Sequence, residues 1–114
     1  MTQARRALGA SGEELVATWY ETHGYQVVAR NWRNPTGELD IVAARGALVV
    51  FCEVKTRTSD AFGVPAEAIT RTKRLRLRRL GAQWLEGAAY QASEIRFDVA
   101  SVMHGEIDVI EGAF

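Results

Sequence analysis

The sequence predicts an α/β fold in which a small mixed β-sheet carries packed helices, in the order αβββαββ. Three observations lead there. Two segments repeat apolar residues at helical spacing, and short β-rich runs are bounded by turn residues. The length of 114 residues fits one domain, and 47% hydrophobic with 25% charged residues can bury a core without disulfides.

Met1–Ala10 reads as a flexible N-terminal arm, leaving 11–114 as the single domain. Ser11 offers an N-cap, and Glu13 and Glu14 follow in a first turn that favours negative charge. Gly12–His23 is helical, with Leu15, Val16, Trp19 and Tyr20 on one side, His23 on that apolar face, and Gly24 closing it. Tyr25–Trp32 is a strand, ended by Asn34-Pro35-Thr36-Gly37. Glu38–Ala44 and Ala47–Lys55 are strands joined by an Arg45-Gly46 turn. Thr56–Val64 is polar and reads as a mobile loop, and Pro65 starts a second helix running to about Leu85, with Gly87 beyond it. Glu94–Met103 and Glu106–Ile110 form a final strand pair around His104-Gly105. Trp19, Trp32 and Trp84 read as packing residues.

The longest uncharged apolar run, Ala47–Cys52, is far too short for a membrane helix, and Met1–Ala10 lacks the apolar stretch of a signal peptide. A lone Cys52 excludes an intramolecular disulfide and a cysteine metal site, so the reducing cytoplasm is the expected location. Zero net charge excludes a histone-like cationic coat, yet the charge is segregated. Arg71, Lys73, Arg74, Arg76, Arg78 and Arg79 form a run without an acid, whereas Arg96 is the lone base from Glu86 to the end.

Chemistry concentrates in Gly37-Glu38-Leu39-Asp40 and Phe51-Cys52-Glu53-Val54-Lys55. Alternate side chains of a strand share a face, so Glu38 and Asp40 point one way, as do Glu53 and Lys55. An Arg45-Gly46 turn pairs Ala44 with Ala47, which sets Glu38 opposite Glu53 and Asp40 opposite Phe51. Three carboxylates and an ammonium then share one face. Such a cluster is costly unless a cation lies within it, and all-oxygen ligands favour Mg²⁺ or Mn²⁺. Lys55 would sit beside a metal-bound water. The competing account is a set of strand charges that deter aggregation, which suits an edge strand better than Leu-Val-Val-Phe-Cys.

With Leu15 at zero on a helical wheel, Glu13 falls at about 160° and borders the apolar face, whereas Glu14 points to solvent. On the second helix, with Ile69 at zero, Lys73 falls at about 40°, inside the stripe of Leu77, Leu80 and Trp84. It is either a snorkelling stem or a cation held near the acidic face.

The spacing from Asp40 to Glu53 and Lys55 resembles the PD-(D/E)xK nuclease superfamily. Wider agreement comes from Gly12-Glu13, Gly24-Tyr25, Arg30-Asn31-Trp32-Arg33, Gly37-Glu38-Leu39-Asp40, Val50 to Arg57, Gly63-x-Pro65-Ala66-Glu67-Ala68, Lys73, Arg96-Phe97-Asp98-Val99 and Ala113-Phe114. Together these resemble the YraN-like family of small bacterial proteins, similar in fold to archaeal Holliday-junction resolvases. That resemblance implies a restriction-endonuclease-like three-layer fold and Mg²⁺-dependent hydrolysis of DNA, including branched or structured DNA, leaving a 5′-phosphate. It implies Glu13 as the helix-one glutamate, Asp40 and Glu53 as the metal carboxylates and Lys55 as the motif lysine; the Val54 carbonyl would join the metal ligands, Glu13 would act through water, and Glu38 is an accessory candidate.

Arg71, Lys73, Arg74, Arg78 and Arg79, with Arg57 in the preceding loop, are the candidate phosphate contacts. A symmetric junction would suit a two-fold homodimer. The alternative is a non-catalytic nucleic-acid-binding module that keeps the fold. Asp98 has a partner in Arg96 or a helix cation and no assigned role.

Overall fold

In the computed structural model, which describes residues 3–57 and 69–114 and the side chains of 11–57 and 69–114, the elements follow the expected order. They are α1 (Gln3–Thr22), β1 (Gln26–Asn34), β2 (Gly37–Arg45), β3 (Leu48–Arg57), α2 (Arg71–Ala88), β4 (Glu94–Met103) and β5 (Glu106–Ile110). The strands form one sheet in the order β1-β2-β3-β4-β5. Neighbours are antiparallel except β3 and β4, which run parallel. A parallel pair needs a long crossover, and α2 lies within it.

Alternation along β2 and β3 builds a core on each face. Val42, Val49 and Phe51 face α2, where they meet Leu77, Leu80 and Trp84. Ile41, Ala43, Val50 and Cys52 face α1, where they meet Val16, Ala17 and Tyr20. The result is a three-layer α/β protein with β3 at its centre. The tryptophans pack as expected: Trp84 meets Phe51 edge-on, with centroids 6.0 Å apart, and Trp32 lies against the same core.

Several sequence expectations need correction. Helix α1 begins at Gln3, so Ser11 lies inside it; the Gln-Ala-Arg-Arg-Ala-Leu stretch is made of good helix formers but lacks an apolar stripe to announce them. The buried face of α1 centres on Val16, Ala17 and Tyr20, which leaves Leu15 and His23 exposed. His23 stacks on Trp19 with centroids 3.9 Å apart, rather than entering the core. Helix α2 starts at Arg71, where the Thr70 hydroxyl accepts from the Lys73 N–H at 3.2 Å. Pro65, most of the proposed loop and the Gly63–Ala68 motif lie outside the described residues. Arg57 ends β3, opposite Met103, and is not in a loop.

The β2–β3 turn is Gly46-Ala47 rather than Arg45-Gly46. Gly46 takes a φ of 60°, the left-handed corner that a two-residue hairpin requires. Arg45 stays in the strand, its guanidinium 4.3 Å from the Tyr25 ring centroid. Pairing therefore runs Arg45↔Leu48 to Ile41↔Cys52, two residues away from the expected register. A shift of two preserves the faces and brings Asp40, rather than Glu38, alongside Glu53.

Asp98 has a structural role. It is fully buried on β4 and accepts from the Tyr20 hydroxyl at 2.6 Å, Arg96 Nε at 2.8 Å, Arg96 Nη2 at 3.0 Å and the Gly112 N–H at 3.0 Å. Arg96 also donates to the Tyr25 hydroxyl at 3.0 Å, so the network ties α1, the entry to β1 and the segment after β5 to β4. The bonds to Asp98 raise the Arg96 pKa, and burial raises that of Tyr20. Among the described residues, no helix is long and apolar enough to cross a membrane.

Asp98→Ala takes the buried carboxylate from Arg96 and leaves it only the Tyr25 hydroxyl and the exposed Glu111, which should cost about 3–5 kcal/mol in urea unfolding. Arg96→Met added to it should recover part of that loss.

Candidate metal centre

The acidic site forms where β2 and β3 part company. Their ladder ends at Ile41↔Cys52. One residue further, the Asp40 carboxylate takes the place of a strand carbonyl and accepts the Val54 N–H at 2.8 Å. The separation opens a cleft of about 290 Å³, lined by Gly37, Glu38, Asp40, Glu53, Lys73, Arg76, Leu77 and Leu80. β2 supplies Glu38 and Asp40, β3 supplies Glu53 and Lys55, and α2 supplies Lys73 and Arg76. From the opposite layer, α1 brings Glu13.

Glu13, Glu38 and Asp40 each place an oxygen within 4.8 Å of the others. Glu53 is only 9% exposed and is engaged elsewhere: its Oε1 lies 2.8 Å from Lys73 Nζ and 3.5 Å from Lys55 Nζ. Glu38 was expected to be accessory, yet it stands in the compact trio, while Arg33 holds its outer oxygen at 3.0 Å. Val54 enters through its amide, which fixes Asp40.

Crowded negative charge sets the electrostatics. Burial, followed by the charge on Glu53, pushes Asp40 up to about 7, against the opposing hydrogen bond from Val54. Glu13 is also raised, first by burial and then by Glu38 and Glu53. Lys55 is pushed down by burial and by its neighbour Lys73. Burial works against the charge on Lys73, but its hydrogen bond to Glu53, together with its contact with Lys55 and the charges of Glu53 and Asp40, outweighs this and raises it. An all-oxygen trio with an excess of negative charge fits a hard divalent cation such as Mg²⁺ or Mn²⁺.

Two residues escaped the sequence reading. Asn31 on β1 hydrogen-bonds Glu13 and has a φ of 51°, a left-handed conformation that Asn tolerates better than most residues. The wheel that placed Lys73 puts Arg76 at about 340°, beside the same stripe, and could have found it. The other arginines divide. Arg78 lies over the Phe97 ring at 5.0 Å and Arg74 over Phe114 at 5.8 Å, while Arg71 and Arg79 are exposed.

Fold and site together define a small three-layer α/β protein with an acidic cleft at the splayed ends of two central strands, roofed by a basic helix. The chain belongs to the uncharacterised protein family UPF0102, the YraN-like family that its motifs resemble, with the family model matching residues 12–102. A UPF0102 protein of Beutenbergia cavernae is 54% identical over 101 residues, covering 89% of this chain and 86% of the relative. One from Moorella thermoacetica is 44% identical over the full length of both chains. Another from Rhodococcus opacus is 43% identical over 95% of this chain and 96% of its own.

An acid whose folded pKa is raised stabilises the fold below its unfolded pKa and loses that contribution as pH rises through the folded value. Asp40, raised from 3.8 to about 7, should therefore make the metal-free protein less stable from about pH 4 to pH 7, with Glu13 acting in the same direction. Urea unfolding in EDTA should show a loss of up to about 4 kcal/mol across that range. Asp40→Asn should flatten the profile.

Proposed function

We propose that this protein is a metal-dependent endonuclease of the PD-(D/E)xK type that hydrolyses phosphodiester bonds in DNA, including branched or structured DNA, in the cytoplasm. The observation that carries this reading is the convergence of Glu13, Glu38, Asp40 and Glu53 with Lys55 and Lys73 at one cleft beneath a basic helix. Glu13, Glu38 and Asp40 would hold the cation, with Glu53 at its margin. A divalent ion there lowers the pKa of a bound water and polarises a phosphate oxygen.

The protein's own groups do the rest. Lys55, held near Glu53, orients the attacking water by donating to it from Nζ. Asp40 is fixed by Val54 and cannot swing away as charge develops. Arg76 on the cleft wall meets the scissile phosphate, and Arg71, Arg74, Arg78, Arg79 and Arg57 serve the flanking backbone. Backbone contacts of this kind read DNA shape rather than sequence, in keeping with a structured substrate. Paired cuts on a symmetric junction would use a two-fold homodimer.

Labelled linear, flapped and four-way-junction DNA, incubated with Mg²⁺, Mn²⁺ or EDTA, tests the reading. Metal-dependent cutting should fall at least about 100-fold in Asp40→Ala and Glu53→Ala. Arg74→Ala with Arg78→Ala should instead weaken binding and reduce its salt dependence. Salt-sensitive binding without cutting under any metal would leave the non-catalytic binding module.

A further inference from the structure

We infer that Lys73 is an exchangeable counter-ion: it holds Glu53 in the metal-free protein and releases it when a divalent cation enters beside Glu13, Glu38 and Asp40. This rests on the metal reading above and adds a regulatory step to that site.

Glu53 Oε1 is shared by two ammonium groups at unequal distance, Lys73 at 2.8 Å and Lys55 at 3.5 Å. The nearer one lines the cleft together with Asp40 and Glu38, so a dication among those carboxylates would face it across the same cleft. Like charges so placed repel strongly. One cation must leave, and Lys73 is built to do so. Its side chain is 33% exposed, on a four-carbon stem that can swing into water without burying an unpaired charge. Its backbone stays in place, because its N–H is held by the Thr70 hydroxyl at the start of α2. Lys55 remains beside Glu53, which is therefore not stripped of positive charge.

Arg96 and Asp98 show what a permanent pair looks like in the same protein. Arg96 is 18% exposed, grips both oxygens of a fully buried carboxylate and is itself held by Tyr25. Lys73 grips one oxygen of its partner from the edge of a cleft. Swung outward, its ammonium would join Arg76 on the rim, where a phosphate would pass. Metal loading would then strengthen the hold on nucleic acid.

The test is calorimetric titration with Mn²⁺ alone, comparing wild type with Lys73→Met, together with urea unfolding of both in EDTA and in saturating Mn²⁺. Lys73→Met should bind Mn²⁺ about 5- to 100-fold more tightly. It should be less stable than wild type in EDTA, and the gap should close once Mn²⁺ is bound. If Lys73→Met does not fold without metal, Lys73→Gln keeps a donor to Glu53 while losing the charge, and the same tightening is expected. Equal or weaker Mn²⁺ binding by a folded variant, with wild type binding normally, overturns the exchange and leaves the metal reading standing. Absence of Mn²⁺ binding by wild type overturns both.

Discussion

Four carboxylates converge on one end of a small sheet, and much of the surrounding structure serves to contain their repulsion. β2 and β3 separate so that Asp40 can take the Val54 N–H. Two lysines from different elements draw Glu53 out of the cluster. β1 answers along its length: the charge of Arg30 favours ionised Glu13 while its guanidinium holds the exposed Glu14 at 2.8 Å, Asn31 bonds Glu13, and Arg33 holds Glu38 at 3.0 Å. The Arg30-Asn31-Trp32-Arg33 motif is thus a strand of counter-groups, with Trp32 turned to the core.

Asp98 and Asp40 show two outcomes of the same problem. Asp98 is sealed among Tyr20, Arg96 and Gly112, and its charge is fully answered by donors of the protein. Asp40 has the Val54 amide but also Glu13, Glu38 and Glu53 as neighbours, and its pKa rises to about 7. A carboxylate that folding has compensated is a structural element. One left with an excess of like charge costs stability, and the proposed cation is what would relieve it.

The sequence was most legible where local rules act alone. The His104-Gly105 hairpin and the strands on either side follow from turn residues and alternation, and the structure has them at the expected boundaries. The β2–β3 register differs from the expected one by two, because Arg45-Gly46 and Gly46-Ala47 are both plausible corners; the structure takes the second and keeps Arg45 in the strand, over the Tyr25 ring. A difference of two in register changes partners but not the face on which a side chain falls. Asn31 was not legible at all: a left-handed residue inside a strand, interacting with Glu13 from another layer, has no local pattern to announce it. The start of α1 was hidden for a related reason, since good helix formers without an apolar stripe look the same as an irregular arm.

A site assembled from three layers also depends on how closely the helices approach the sheet. On one face, a Cβ at Gly12 would come within 2.1 Å of Thr56 Oγ1, so α1 lies against β3 at a distance that only glycine permits. Glu13 is the next residue, and that approach sets how far its carboxylate extends past the sheet end. On the other face, a Cβ at Gly81 would lie 3.1 Å from Phe51 and 3.2 Å from Phe97. Gly81 sits two turns along α2 from Lys73 and holds the helix down on the aromatic core. Lys73 and Arg76 can then reach the cleft from above. Neither glycine touches the acidic cluster, yet each limits the distance over which its helix must deliver a charge. The geometry of the site is thus fixed as much by side chains left out of the packing as by those that line it.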